Sequence, residues 1–257
     1  MLMPAMKDGQ SALVVDAQLT STQWFAQMPE SPHPLPMLEM AMVMGVSDAE
    51  LLKQGCQEYF AVSQAIANIL HELEPDEIPK TDIPAPKERQ VGDSTIYYYM
   101  LPQDMGIDKR IAPNAGLSKD VAVLSLAPLH TKRILEAASA ANSGPVAQYK
   151  DKPLASASGF NFAALVDAFV PWVEYGMIAG AEFGVQEFDD DFEPAPGEFG
   201  DPDFGGPGFG GPGPAEMKAY IQTGAEILKC FRGFSSVTYL EDGVQVTRGE
   251  WHFEDLE

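Results

Sequence analysis

An α+β fold, a largely antiparallel sheet with helices packed on one face, is what this sequence predicts. Aromatic and β-branched runs read as strands, three long stretches carry apolar residues at helical spacing, and the chain closes on two strand-like runs joined by Asp242-Gly243, a pair that type I′ turns prefer. A hydrophobic fraction of 45% in 257 residues is enough for a sizeable core. We expect one domain over 1–257, with its core in 10–184 and 215–257.

In chain order, Ser11–Leu19 reads as a strand. Thr20-x-x-Gln23 has the form of a capping box and predicts a short helix that Pro29 ends. Met37–Val46 follows as an apolar strand, and Ser47-x-x-Glu50, a second capping box, opens a helix from Asp48 to Glu72. Leu52, Cys56, Tyr59, Ser63, Ile66 and Leu70 make its predicted buried stripe, so Cys56 reads as a small core side chain. The polar stretch Glu74–Gln90 predicts a loop.

Ser94–Leu101 and Asp120–Leu126 are the next predicted strands, the first aromatic on both faces. Pro128 suits the first turn of a helix to Ala140. A short strand at Leu154–Gly159 then leads into a helix over Phe162–Gly184, with Phe162, Val166, Phe169, Val173, Gly176, Gly180 and Phe183 on its buried side. The GxxxGxxxG run invites a membrane reading. Asp167 and Glu174 oppose it, because a central Asp costs about 2.5 to 3.5 kcal/mol on insertion scales. The glycines then serve close packing. Ala215–Phe231 is helical, with Met217, Tyr220, Ile221, Gly224, Ile227, Leu228 and Phe231 on one face, and Ser235–Glu241 pairs with Val244–Phe253. Trp251 and Phe253 have the opposite parity to Val244 and Val246, and a bulge at Gly249 would reconcile them.

Between the last two helices lies 186–214, with eight carboxylates and no Lys or Arg. It cannot bury enough apolar surface to offset backbone ordering, so a disordered acidic loop is expected. Phe188, Phe192, Phe199, Phe204 and Phe209 stand isolated among its Gly and Pro and are candidate docking anchors for a protein partner. The tail beyond, 215–257, is near the size that does not fold alone, so its helix and hairpin should dock on earlier elements.

A formal charge of -22 argues against nucleic acid and anionic lipid, because like charge repels both. Basic proteins and a weak, counterion-like hold on divalent cations fit better. An EF-hand does not: counted from Asp201, position 12 is Pro212 rather than Glu. His33, His71, His130 and His252 are scattered, no HExxH or GxSxG motif occurs, and Cys56 and Cys230 have no CxxC spacing. No catalytic residue, cofactor site or metal site is therefore assigned. A Cys56–Cys230 bridge would need export and contact between their helices.

The passages ALVVDAQLTSTQW, LEMAMVMGVSDAELLKQGCQEY and LKCFRGFSSVTYLEDGVQVTRGEWHFEDLE resemble the C-terminal part of uncharacterised exported proteins of planctomycete-type bacteria, a domain of unknown function. The resemblance implies a cell-envelope or periplasmic protein if a signal peptide lies upstream of Met1. Without one, the chain is cytoplasmic. The expected function is a non-catalytic interaction or scaffold module of the envelope. The alternative is a carrier of a small apolar ligand between sheet and helices, suggested by Tyr97, Tyr98, Tyr99 and Met100.

Overall fold

The computed structural model describes residues 2–6, 9–139, 147–149, 151–183 and 214–255. The expected acidic loop, with Phe188, Phe192, Phe199, Phe204 and Phe209, lies outside them except for Pro214. The chain forms two compact units, one from 1–28 and 37–143, the other from 29–36 and 144–257.

The first unit contains α1 (Leu2–Ala5), β1 (Ser11–Asp16), the two-residue β2 (Thr20–Ser21), β4 (Glu39–Gly45) and α2 (Ala49–Leu73), with β3 (Leu35–Pro36) assigned to the second unit. It continues through β5 (Lys87–Val91), β6 (Ser94–Tyr98), β7 (Asn114–Leu117), β8 (Val121–Ser125) and α3 (Pro128–Ser139). Six strands form one antiparallel sheet in the order β1-β4-β8-β7-β6-β5. Its inner face carries Ala41, Val123 and Ile96, which pack with Leu135 of α3. Alternation along each strand sends the intervening side chains to the outer face.

Gly116 of β7 lets α3 lie against the sheet. A Cβ there would fall 2.4 Å from Thr131 Cγ2 and 2.8 Å from Leu135 Cδ1. Gly116→Ala should therefore destabilise by about 1–3 kcal/mol through overpacking, read as a lowered urea midpoint; an unchanged midpoint would show that the helix has room to shift. Beside this contact, Thr131 Oγ1 donates to Asn114 Oδ1 (2.5 Å), and Asn114 Nδ2 donates to the carbonyls of Ala112 and Ser125 (2.9 Å each). These bonds satisfy an amide that burial would otherwise penalise.

Several expectations for this unit need correction. Thr20-x-x-Gln23 starts no helix: Ser21 Oγ donates to Asp108 Oδ2, the Gln23 side chain goes to the Met28 carbonyl, and Phe25 bridges to Ile107. Asp48, not Ser47, caps α2, its carboxylate accepting from Leu51 N at 2.9 Å. The predicted stripe of α2 is buried only near its start, at Leu52 with neighbouring Gly55. Cys56, Tyr59, Ile66 and Leu70 are exposed, because α1 and the sheet reach only the first turns. The Glu74–Gln90 loop ends in strand β5, and β7 was not expected.

The second unit contains β9 (Leu154–Asn161), α4 (Phe162–Phe183), α5 (Pro214–Lys229), β10 (Phe231–Glu241) and β11 (Val244–Phe253). The expected terminal hairpin forms, and β10 pairs on its other side with β9. The ladder is regular through Gly249, opposite Ser236; the register shifts instead between Phe231 and Gly233, where Gly233 has φ 144°. Trp251 and Phe253 therefore keep their own face. There Trp251 contacts the rings of Phe231 and Phe234, and Phe253 that of Phe231. Val237 and Tyr239 are buried on the other face with Tyr149, whose ring lies 5.4 Å from that of Tyr239.

Asn161 Oδ1 accepts from Ala164 N and caps α4, which runs through Pro171. Its buried side is Ala163, Val166 and Ala168, rotated from the predicted stripe, so Phe169 and Val173 are exposed. Gly176 has open space where a Cβ would stand and supplies no close approach. On α5, Ala225 is buried, and Tyr220, Ile227 and Leu228 are exposed. Lys229 pairs with Asp167 at 2.8 Å and Lys218 with Glu174 at 3.5 Å, tying α5 to α4. Trp172 Nε1 and Tyr175 Oη donate to the carbonyls of Pro36 and Pro29, which holds 29–36 in this unit. No helix among the described residues is long and apolar enough to cross a membrane.

Candidate functional site

Three features of the first unit bear on function: the exposed apolar side chains of the outer sheet face, a cavity beside the start of α3, and a buried charge cluster.

The register places Leu13, Met42 and Leu124 in one row across β1, β4 and β8, with Val15 and Met40 paired in the next. Together with Leu126 they are 46–67% exposed. Among the described residues one end of this face is covered, where α1 and the first turns of α2 bring Ala5, Val46 and Leu52 against Ala122, Met44 and Leu117. A contiguous apolar patch beyond a few hundred Å² is uncommon on a protein that works alone.

The cavity, about 260 Å³, opens on the inner face between β5, β6, the 109–112 segment and α3. Val91, Ile96, Tyr98, Met100 and Leu129 give it apolar walls. Arg89, Lys109, Arg110 and Lys132 also line it. Arg110 is fixed there: its Nε and one terminal nitrogen donate to the two oxygens of Asp108 at 2.9 and 2.5 Å, its other terminal nitrogen donates to the Thr20 carbonyl at 2.7 Å, and the guanidinium lies over Trp24. The Arg110 hydrogen bonds hold the Asp108 carboxyl well below the usual carboxylate range. Tyr98 and Met100, singled out in the sequence, meet here. The four cations come from three separate segments and have no sequence motif in common; the only local signal is the Lys109-Arg110 pair.

Behind α3, Glu39 is fully buried, and its Oε2 accepts from Gln18 N (3.0 Å), Leu19 N (2.9 Å) and Arg133 (2.7 Å). Arg133 also reaches Asp16 at 3.0 Å. His130 is buried near this cluster, and burial pushes its imidazole below the ordinary histidine range while the Glu39 carboxylate partly offsets that. The other three histidines do not join it: His33 and His252 are exposed, and His71 Nδ1 bonds the Ile78 carbonyl at 2.6 Å. Among the described residues no group of His, Cys, Asp and Glu is arranged to hold a metal.

No family model, curated protein or solved structure matches this chain.

Proposed function

We propose that this chain is a non-catalytic interaction module, acting in a bacterial cell envelope as the sequence resemblance implies, and that the outer sheet face of its first unit is the surface that meets a partner. The supporting observation is the row Leu13, Met42 and Leu124 with Val15 and Met40 beside it, left open to water by a sheet whose other face is packed. Burying apolar surface yields roughly 25 cal/mol per Å², so such a face gains most by closing on another apolar surface. The acidic stretch 186–214 and its phenylalanines would add a second, charge-selective hold on a basic partner.

Photo-methionine at Met42 provides the test, in cells of the native source and with the purified protein. Crosslinks from Met42 to a second chain are expected, and Leu13→Lys with Leu124→Lys, exposed changes on either side that leave the photo-reactive residue in place, should remove them without lowering stability. Products confined to the same chain would count against the reading.

A second reading, a carrier of a small ligand between sheet and helix, is supported by the cavity lined by Tyr98, Met100, Ile96 and Leu129. Its polar fringe narrows what that ligand can be.

A further inference from the structure

We infer that the cavity beside the start of α3 binds a small amphipathic anion: an apolar body against Ile96, Met100 and Leu129, and a single carboxylate or phosphate head held by Arg89, Lys109 and Lys132. This rests on the second reading above, that the cavity takes a ligand at all, and it specifies the ligand's charge.

Charge composition carries the argument. The chain has 38 Asp and Glu against 16 Lys and Arg, yet the cavity is lined by four cations and no carboxylate. Scattered surface charge would give the reverse bias. Arg110 is held in place by three hydrogen bonds to Asp108 and Thr20 and has its charge paired with Asp108, so it acts as a fixed wall. Lys132 is weakly engaged, 3.7 Å from the half-exposed Glu136. Arg89 and Lys109 form no ion pair with a described carboxylate. Three cationic heads are thus available at the rim of a pocket whose floor includes the fully buried Ile96. The first turn of α3 adds the partial positive charge of a helix N-terminus from the same side. Like-charged neighbours repel one another, and a bound anion relieves that repulsion. The volume lies just below the usual range for drug-sized ligands, which limits the body to a short chain or single ring.

The experiment uses the full chain and three probes with one apolar body: octanoate, octyl phosphate and 1-octanol. Methyl resonances of Ile96, Met100 and Leu129 are followed during titration. Octanoate or octyl phosphate should shift them with an affinity at least about fivefold above that of 1-octanol, the gain that one or two partly exposed ion pairs supply. Whichever anion binds tighter identifies the head group. Arg89→Ala with Lys109→Ala should bring the anions to within about twofold of 1-octanol, and added salt should do the same to the unmodified protein. Lys109→Glu alone, at an exposed position, is the second variant and should weaken the anions further.

If 1-octanol binds as well as the anions, the charge assignment fails while the carrier reading stands. If no probe moves these methyls, both fail. Unchanged octanoate affinity in the two variants would overturn the proposal directly.

Discussion

Glu39→Ala is expected to cost about 3–5 kcal/mol, the range for removing one partner of a buried ion pair. The loss has two sources. Glu39 Oε2 is the acceptor for the backbone N–H groups of Gln18 and Leu19, and without it both donors lose their partner where β1 runs on toward buried Leu19 and Trp24. Arg133 would keep only Asp16, which is partly exposed and cannot neutralise the guanidinium as closely. Urea unfolding read from Trp24, with Trp172 and Trp251 replaced by Phe, measures the effect in this unit. Pairing Glu39→Leu with Arg133→Leu should recover part of the loss, because no charge is left buried, but not all of it, because the two N–H groups still lack an acceptor. A loss below about 1 kcal/mol for Glu39→Ala would mean that solvent reaches the site and that the carboxylate does not organise the turn after β1.

Gly233→Ala should be the most disruptive small substitution in the second unit. Its Cβ would stand 1.9 Å from the Phe160 carbonyl oxygen and 3.2 Å from Asn161 Cα, both backbone atoms that no side-chain rotation can move. The residue also sits at φ 144°, a conformation L side chains rarely adopt. Backbone strain of about 1–3 kcal/mol adds to the loss of the β9–β10 pairing at that end, so a total of about 3 kcal/mol or more is expected. Hydrogen exchange locates the damage: protection should fall along β9 and the start of β10 and stay unchanged in β4 and β8. Retained protection in β9 would show that the strand can step aside.

Neither Glu39 nor Gly233 stands out in the sequence, because each acts through partners distant in the chain. The α+β class, the four long helices and the closing hairpin follow from periodicity and from Asp242-Gly243, because those signals are local. Strand β5 reads as loop, since KERQV is a polar edge strand, and β7 hides because NAGL is short and its positions facing α3 are an amide, Asn114, and a glycine, Gly116. The buried stripes of α2, α4 and α5 were misplaced for a different reason. An apolar residue is buried only where another element covers it, and among the described residues none covers Tyr59, Phe169 or Ile227. Parity alone asks for a bulge at Gly249 to bring Trp251 and Val246 onto one face; the hairpin instead has apolar side chains on both faces, and Gly233 accommodates the irregularity. Of the candidate cavity, Tyr98 and Met100 were visible as an aromatic strand with its following residues. Its cations were not, because only the folded sheet brings positions 89, 109, 110 and 132 together.

Strands β5 to β8 are neighbours both in sequence and in the sheet, so each can zip onto the one before it as soon as it is made. The β1–β4 ribbon must find the free edge of β8 with α2 and three strands of chain in between, a closure that is slower on entropic grounds. During that interval Val43 and Val123, and Ala41 and Ser125, lack the ladder partners they have in the finished sheet, and the face destined for α3 is only half assembled. Assembly of the first unit is thus a race between this late ribbon and any foreign strand that reaches the waiting edge first.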